Sequence, residues 1–432
     1  MLTGPPEYVP SAQASNLHKK PPRLSGASRS FGFFWLFFRQ LYQANSVKSP
    51  FSALIALWRR PRTVVLDIRP LQCGYAGKGI GRYTLETARR IAAAAQRELQ
   101  EKYPRFKISS LVREGRANPL PEIPVLLAAP SWQRPWLWDQ LVLPFLLLRH
   151  RIRIFHNFTA MGPLQEVSFP MLYAFRGMAT IHDWHMFAPD ASGIEIFYRN
   201  TVRIRVQRKR LPKLKRVVVD AEQIKVDTML QGGVNADRLF VVPLGGDHFD
   251  AVEAESWNME NFVLSVGDTP NKNLAMIRDA LAQLRAKFVH LNWVIVGNRQ
   301  NIEARLAPLE NGILPPWIQV LENPTDGKLK ACYQKALCLL FPSTREGFGI
   351  PVLEAMRLGC PVLSSDIEPL KSLLGYGPGL LPATDARAWC AAIHKLLFFP
   401  DARDAAIAHG RAKAEAYTWD NTARALLEMY LA

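Results

Sequence analysis

Short apolar runs alternate with longer mixed stretches from residue 63 onward. In the first half of the chain, the apolar runs predict strands, and the stretch at 82–100 between the first two of them predicts a helix. These strands are expected at 63–69, 107–113, 124–129, 151–157, 173–183, 216–219 and 238–244. Continuously apolar strands separated by helices are typical of a parallel sheet that is covered on both faces. The pattern therefore predicts a doubly wound α/β domain.

A second series of the same kind follows a polar, acidic stretch at 247–261. Its strands are predicted at 262–267, 292–297, 318–321, 338–343 and 361–366, with a helix at 274–287 and a helical tail at 385–432. We predict an α/β fold of two Rossmann-like domains, at 63–250 and 262–415. Such paired domains bind a ligand in the cleft where the carboxyl ends of their strands face each other.

Composition adds a strong positive charge to this picture. The chain has 432 residues, of which 48% are hydrophobic and 21% are charged, and this composition excludes a collagen, a coiled coil and a disordered protein. The formal net charge is +17. Residues 1–60 carry eight basic residues and one acidic residue, and residues 199–216 carry nine basic residues and none that is acidic. A polyanion is therefore the expected neighbour: a nucleic acid, a phosphorylated substrate or an anionic membrane.

The first basic segment is mixed with aromatic residues. The apolar run Phe31–Phe38 is eight residues long, whereas a membrane-spanning helix needs about 20. We predict that 31–60 form an aromatic and basic segment on an anionic membrane surface, the alternative being that these aromatics cover another part of the fold. Residues 1–30 predict a disordered basic tail. Five scattered cysteines form no metal or disulfide pattern and fit a reducing, cytoplasmic location.

The segment 341–366, FPSTREGFGIPVLEAMRLGCPVLSSD, has the most chemical content. A strand leads into a loop with Glu346 and two glycines, and then into a helix that has Pro351 in its first turn and ends at Gly359. Backbone N–H groups from Gly347 to Ile350 should point at an anion together with the positive end of the helix dipole. A nucleotide diphosphate would fit there, with Glu346 and Glu354 binding hydroxyl groups on either side of it.

The string EGFGIPVLE followed by AMRLGCPV resembles the signature of retaining GT-B glycosyltransferases of glycosyltransferase family 4 (group 1), of the bacterial polysaccharide and lipopolysaccharide type. The resemblance implies that Glu346 contacts hydroxyls of the donor sugar and that Glu354 holds the ribose of the nucleotide. It also implies that the loop between them meets the diphosphate and the sugar. The donor-binding residues of this loop are Gly347, Phe348, Gly349 and Ile350.

Other segments extend the resemblance over about 63–432. SVGDTPNKNLAMIRDAL, at 265–281, places Lys272 on the donor diphosphate, although Asp268 stands where many members have an arginine. GKGIGRYT, at 77–84, resembles a glycine-rich loop near the donor phosphates and implies binding by Gly79 and Gly81. TIHDWHMFAP, at 180–189, implies that His182 reaches the transferred sugar.

Three further segments carry less chemistry. PLGGDHF, at 243–249, is similar to the loop that leaves the first domain of these enzymes, and 416–432 resemble the final helix, which crosses back onto that domain. In place of the usual serine-containing segment stands VVVDAEQIK, where Asp220 is expected to cap the following helix and to have no role in the site.

The resemblance implies a retaining hexosyltransferase with Glu346, His182 and Lys272 as catalytic residues and with no metal or cofactor other than the sugar donor. We favour mannose, from GDP-mannose, and a lipid-linked or polysaccharide acceptor at the inner face of the cell membrane. A hydrolase with two catalytic carboxylates, a catalytically silent membrane scaffold and a nucleic-acid-binding protein are the alternatives. No nucleic acid is expected as a partner, because neither basic segment lies in a recognisable nucleic-acid module.

Overall fold

The computed structural model describes residues 62–130, 135–160, 168–187, 193, 197, 200–286, 290–307, 313–375 and 377–432. Residues 61–432 form one compact unit. The tail predicted at 1–30 and the membrane-surface segment predicted at 31–60 lie outside the described residues. Among the described residues, every helix is too short or too polar to cross a bilayer.

The first half of the compact unit forms a parallel sheet of seven strands in the order β3-β2-β1-β4-β5-β6-β7. The order reverses between β1 and β4, which leaves a crevice at their carboxyl ends. The strands are β1 Arg62–Asp67, β2 Phe106–Arg113, β3 Val125–Ala129, β4 Ile154–Asn157, β5 Gly177–Ile181, β6 Arg216–Val219 and β7 Leu239–Val241.

Helices connect these strands. The described helices of this half are α1 Gly79–Ala94, α2 Pro135–Leu141, α3 Leu143–Arg149, α4 Val202–Arg210 and α5 Glu222–Gly232. A π-helical turn at Ala95–Leu99 and a short helical segment at Gln100–Lys102 extend α1. Helix α1 begins at Gly79, inside the glycine-rich motif and three residues before the predicted start. The strand predicted at 173–183 is shorter than expected, because a 3₁₀ helix at Met171–Arg176 takes its first half.

The second half repeats the plan with a six-stranded parallel sheet in the order β10-β9-β8-β11-β12-β13. Here the order reverses between β8 and β11. The strands are β8 Phe262–Val266, β9 Asn292–Val296, β10 Ile318–Leu321, β11 Leu339–Phe341, β12 Val362–Ser365 and β13 Leu380–Leu381. The helices are α6 Leu274–Arg285, α7 Arg299–Leu306, α8 Asp326–Lys335, α9 Ile350–Leu358, α10 Leu370–Leu374, α11 Ala386–Phe398, α12 Pro400–Ala414 and α13 Trp419–Leu431.

The last helix, α13, packs against α1 and so returns to the first sheet. Its Trp419 and Tyr430 are fully buried. The Tyr430 hydroxyl lies 2.6 Å from Nδ1 of His156 on β4, and the Thr422 hydroxyl donates to the Pro243 carbonyl at 2.7 Å. The predicted fold of two Rossmann-like domains with a helix that crosses back is therefore confirmed.

A buried ion triad closes the carboxyl end of β1. The Arg69 guanidinium donates to both oxygens of Asp67, at 2.8 and 2.7 Å, and to Asp139 at 2.6 Å, and all three side chains are at most 1% exposed. Asn157, at the end of β4, donates to Asp67 at 2.9 Å. Because each buried charge is paired, the triad holds the start of the glycine-rich loop without leaving a bare charge in the core.

Candidate active site

Two loops at the switch point of the second sheet build the candidate site. They follow β8 and β11, which are neighbours in the sheet. Asn271, in the first loop, accepts the Thr344 N–H at 2.8 Å through its main-chain oxygen and donates from its side chain to the Arg345 carbonyl at 2.9 Å. The loop after β8 therefore holds the loop that carries Glu346.

Lys272 and Glu346, predicted separately from two motifs, form an ion pair. Lys272 Nζ donates to Glu346 Oε1 at 2.5 Å, and the side chains are only 15% and 10% exposed. The same ammonium lies 4.4 Å from the centre of the Phe341 ring, within range of a cation–π interaction. Gly267 makes room for the lysine stem, since a Cβ atom there would lie 2.7 Å from Lys272 Cε.

The start of α9 supplies the predicted anion-binding backbone. Gly349 is its N-cap, with φ +101°, and no side chain caps the helix. Phe348 turns inward, 7% exposed, and packs edge-on against Tyr417 with ring centres 6.0 Å apart. The Phe348 side chain therefore belongs to the core, and its backbone is the part available to a ligand.

The two predicted glycine-rich segments meet at the start of α1. A Cβ atom on Gly79 would lie 3.5 Å from Ile350 Cδ1, so the N-terminus of α1 adjoins the N-terminus of α9. Gly81 has a different environment, because a Cβ atom there would overlap the carbonyl oxygens of Tyr75 and Ala76. Gly81 thus allows its own loop to fold tightly, whereas Gly79 borders the cleft.

Glu354 lies within α9 and is 7% exposed. The Tyr333 hydroxyl donates to its Oε2 at 2.7 Å, and Nε2 of His248 lies 3.0 Å from its Oε1. The sequence reasoning missed both neighbours. His248 lies within PLGGDHF, a segment predicted only as the loop that leaves the first domain, and Tyr333 is in a helix whose sequence carries no functional signal.

His182 follows β5, and its ring is fully engaged behind the cleft. Nδ1 lies 2.6 Å from Asp220 Oδ2, and Nε2 lies 2.9 Å from the Phe158 carbonyl oxygen. A carbonyl can only accept, so Nε2 carries a proton. Burial favours the neutral ring, but Asp220 and the Phe158 carbonyl outweigh it and raise the pKa of His182. Burial also raises the pKa of Asp220.

Asp220 was expected to cap α5, and that expectation is wrong. The N-cap of α5 is Ala221, and no side chain caps the helix. The reason is the position of Asp220 directly after β6, which pairs with β5 so that Val219 stands opposite Ile181. The next residues on the two strands, Asp220 and His182, then meet at the carboxyl edge of the sheet.

His182 borders the candidate site through its backbone. A Cβ atom on Gly347 would overlap the His182 carbonyl oxygen, and the Asp183 side chain is also close to that position. Arg345, beside Glu346, donates to the His185 carbonyl at 2.8 Å. The predicted residues of both domains therefore come together around the loop that carries Glu346 and Gly347. Within the described ranges, no group of three His, Cys, Asp or Glu side chains could hold a metal ion.

Comparisons with known proteins agree with this geometry. Residues 250–413 match the family "Glycosyl transferases group 1". The chain is 26% identical over 403 residues to O-antigen chain mannosyltransferase B of Escherichia coli. This match covers 85% of this chain and 99% of that protein. It is 27% identical over 226 residues to O-antigen chain mannosyltransferase RfbU of Salmonella typhimurium, and this match covers 52% of this chain and 61% of that protein.

Solved structures share the fold at low sequence identity. Sucrose-phosphate synthase from Thermosynechococcus elongatus superposes with a TM-score of 0.65 at 18% identity, over 86% of this chain and 98% of that one. Anabaena HepE, in complex with UDP-glucose, gives 0.61 at 14% identity, over 85% and 98%. Two parallel-sheet domains with a returning C-terminal helix define the GT-B class of glycosyltransferase, and this chain has that fold.

Residues 250–413 of this fold are thus similar to the glycosyl transferases group 1 family. The predicted resemblance to group 1 glycosyltransferases is thereby confirmed, and its bacterial lipopolysaccharide type agrees with the O-antigen relatives.

Proposed function

We propose that the protein is a retaining hexosyltransferase of glycosyltransferase family 4. It transfers mannose from GDP-mannose to a lipid-linked or polysaccharide acceptor during cell-surface glycan synthesis. The observation that carries the proposal is the Lys272–Glu346 pair, 2.5 Å apart at the switch point of the group 1 domain and next to the uncapped start of α9. Mannose is favoured because the O-antigen relatives are named mannosyltransferases.

The reaction breaks the bond between the anomeric carbon and a diphosphate oxygen. Negative charge develops on the leaving diphosphate, where the Lys272 ammonium and the N–H groups at the start of α9 stabilise it. Positive charge develops on the sugar ring, where the Glu346 carboxylate stabilises it. The acceptor hydroxyl attacks from the face that the diphosphate leaves and gives its proton to a diphosphate oxygen, so the configuration is retained. In this proposal, neither the departure of the diphosphate nor the attack of the acceptor hydroxyl requires a metal.

His182 orients the sugar in this proposal. The Asp220 carboxylate and the Phe158 carbonyl hold its ring, at 2.6 and 2.9 Å, so the ring cannot turn into the cleft without breaking one of these contacts. Its carbonyl oxygen lies against Gly347 and so borders the position of the donor sugar. Glu354 holds the nucleotide ribose, with its carboxylate positioned by Tyr333.

The test is Glu346→Gln, which removes the negative charge but keeps the size and a hydrogen-bonding group. We expect transfer of mannose from GDP-mannose to fall at least about 100-fold, since transition-state charge stabilisation of this kind is worth a factor of about 10² to 10³. Binding of GDP, read as a rise in melting temperature, should change little. UDP and ADP tested in the same way establish which nucleotide is preferred.

The control is Glu303→Gln, a surface change on α7 where the carboxylate pairs only with Arg299 at 3.7 Å. It should leave both transfer and GDP binding unchanged. Wild-type turnover by Glu346→Gln would refute the catalytic assignment, and the absence of a melting shift with all three nucleotides would refute the donor class.

We also propose that the protein works on an anionic membrane surface. Support comes from a patch, which we call the amino-edge patch, formed by Leu148, Leu172, Arg153, Arg176 and Lys215. Leu148 and Leu172 are 49% and 68% exposed. Arg153, Arg176 and Lys215 directly precede β4, β5 and β6, so they share the amino edge of the parallel sheet.

The cations of the amino-edge patch affect one another electrostatically. Burial together with the nearby charges of Arg216, Arg153 and Arg176 lowers the pKa of Lys215. Positive charge gathered at one edge of the sheet attracts an anionic partner. Exposed leucines beside them suit a lipid surface better than a nucleic acid. The patch lies at the opposite edge of the sheet from His182, so membrane contact leaves the cleft open.

A further inference from the structure

The Glu354 carboxylate is connected to the last helix of the chain through one histidine. The side chain of His248 is completely buried, and its Nε2 lies 3.0 Å from Glu354 Oε1. On the other side of the ring, Nδ1 accepts the indole N–H of Trp419 at 3.2 Å. A line of polar contacts therefore runs from Trp419, the first residue of α13, to the carboxylate proposed to hold the ribose.

The direction of the hydrogen bond from Trp419 determines which ring nitrogen of His248 carries the proton. An indole N–H can only donate, so Nδ1 of His248 is the acceptor and carries no proton. The proton of the neutral ring is then on Nε2, which faces Glu354. This N–H is not aligned as a hydrogen bond to any partner in the described residues, but at 3.0 Å it attracts the carboxylate oxygen and opposes its rotation.

Neighbouring residues hold His248 and Trp419 next to each other. The side chain of Asp247, next to His248, accepts the main-chain N–H of Trp419 at 2.7 Å. Gly245 lets the two segments touch, since a Cβ atom there would overlap the backbone of Trp419. The loop that leaves the first domain and the helix that returns to it thus meet directly beneath Glu354.

We propose that Trp419 and His248 are positioning residues for the nucleotide ribose, an inference that rests on the proposed function of Glu354. A carboxylate offers about four lone-pair directions. The Tyr333 hydroxyl takes up one direction on Oε2, and the His248 N–H lies 3.0 Å from Oε1 without forming an aligned hydrogen bond, so lone-pair directions remain for the 2′ and 3′ hydroxyls of a ribose. By setting the tautomer of His248, Trp419 keeps the carboxylate turned so that these remaining directions face the cleft.

The experiment measures ribose preference rather than affinity alone. For each protein, isothermal titration calorimetry compares GDP with 2′,3′-dideoxy-GDP, and UDP with 2′,3′-dideoxy-UDP. The preference is the ratio of the two dissociation constants. Glu354→Gln serves as the reference and should lower the preference about tenfold or more, since a hydrogen bond to a charged group is being weakened.

Trp419→Phe keeps an aromatic ring in the core but removes the N–H that His248 accepts. We expect the ribose preference to fall several-fold, mainly through weaker binding of the ribonucleotide. Trp389→Phe is the matched control, because Trp389 is also fully buried and donates from its indole to the Pro382 carbonyl at 2.9 Å. Both variants lose one buried hydrogen bond and should melt earlier, but Trp389→Phe should keep the wild-type preference.

Variants at His248 provide an independent measurement. His248→Phe removes both ring nitrogens and should lower the preference as Trp419→Phe does. His248→Gln supplies an oxygen that can accept from Trp419 and an N–H that can face Glu354, so it should restore much of the preference. A residue that merely filled space would show the opposite order, with phenylalanine replacing the ring better than glutamine.

The outcomes separate the inference from the proposed function. If wild-type protein binds neither GDP nor UDP, or if Glu354→Gln keeps the full ribose preference, the proposed donor site is wrong. If Glu354→Gln loses the preference while Trp419→Phe and His248→Phe keep it, the donor site stands and the positioning role is overturned. Loss of preference in Trp389→Phe as well would reduce the effect to general destabilisation and would also overturn it.

Discussion

One carboxylate, Asp220, decides the charge of His182. Burial alone would keep the imidazole neutral, because a charge is poorly solvated in the interior. The Asp220 oxygen at 2.6 Å reverses that balance and raises the pKa of His182. The neighbouring His156 shows what happens without such a partner: burial, followed by the charge of His182, lowers its pKa to about 3.

The pair predicts how stability depends on pH. Because the pKa of His182 is raised in the folded protein, its contribution is complete below the unfolded value of about 6.5 and is lost as pH rises through the raised value. In Asp220→Asn, burial dominates and the folded pKa falls below about 6.5, so the decline above that pH should disappear. Urea unfolding between pH 6.5 and 9 measures this.

Two features make that range informative. His156, with a pKa of about 3, affects stability only below its unfolded value of about 6.5 and does not interfere. Asp237→Asn, at an exposed position in a 3₁₀ turn, is the control and should follow the wild type. An Asp220→Asn variant that still loses stability between pH 6.5 and 9 as the wild type does would show that Asp220 does not govern His182.

The start of α9 is the element on which the site depends most. Its dipole and free N–H groups face the cleft because Gly349 adopts a positive φ and because Gly347 lets the loop lie against the His182 carbonyl. The neighbouring α1 begins beside it, at Gly79. Two helix N-termini therefore adjoin each other at the cleft, which concentrates positive potential where a diphosphate would bind.

Gly347→Ala tests this packing. The added methyl group would overlap the His182 carbonyl oxygen, so the loop must shift away from the first domain. We expect transfer activity to fall at least about tenfold, since displacements of about 1 Å at a reacting centre can cost a factor of about 10². The melting temperature should fall only slightly, because the loop lies at the surface of the cleft.

Gly377→Ala is the control for that change, because nothing lies within 4 Å of a Cβ atom at this position. It should leave transfer at the wild-type rate. Equal activity of both alanine variants would mean that the close approach of Gly347 to His182 is not needed for catalysis.

At the scale of the whole molecule, the proposed donor chemistry and the proposed membrane contact lie at different edges of the fold. The cleft lies at the carboxyl edges of both sheets, while the amino-edge patch lies at the opposite edge of the first sheet. An ion pair from α1 bridges the two domains beside the cleft, because Arg82 pairs with Asp326 on α8. Arg90, also on α1, lies 3.1 Å from Asp420 on α13 and 3.6 Å from Asp247 in the loop that leaves the first domain.

The amino-edge patch predicts binding to anionic vesicles. Lys215→Glu combined with Arg176→Glu should weaken sedimentation with phosphatidylglycerol vesicles by at least about tenfold, since each cation near an anionic surface contributes about 1 kcal/mol. Binding of the wild type should fall as salt is added. Leu172→Ser tests the apolar part and should weaken binding without changing its salt dependence.

The control carries the same change in net charge in the second domain: Lys335→Glu on α8 with Lys395→Glu on α11, both exposed. It should bind vesicles nearly as the wild type does. Equal loss in both double variants would indicate a response to net charge, and binding to neutral vesicles as strong as to anionic ones would show that apolar contact is the anchor.

Local patterns determined most of the fold and several residues of the candidate site. Continuous apolar strands cannot be stable unless both faces are covered, so their alternation with helices predicted two parallel α/β sheets. The motif around Glu346 and Glu354 was recognisable because its loop and helix lie in one continuous segment. Lys272 was predicted from a second segment, 265–281, and the order of the parallel strands brings it to the same edge of the sheet as Glu346.

Tertiary structure alone decided the partners of these residues. Asp220 meets His182 because β5 and β6 are neighbours, a relation that appears only once the strand order is known. His248 contacts Glu354 from the loop that leaves the first domain, and Trp419 reaches His248 because α13 returns to that domain. Sequence patterns report which groups are near along the chain, whereas hydrogen bonds and pKa values depend on distance in space. The motif around Glu346 and Glu354 could therefore be found from the sequence, but the residues that contact it in space could not.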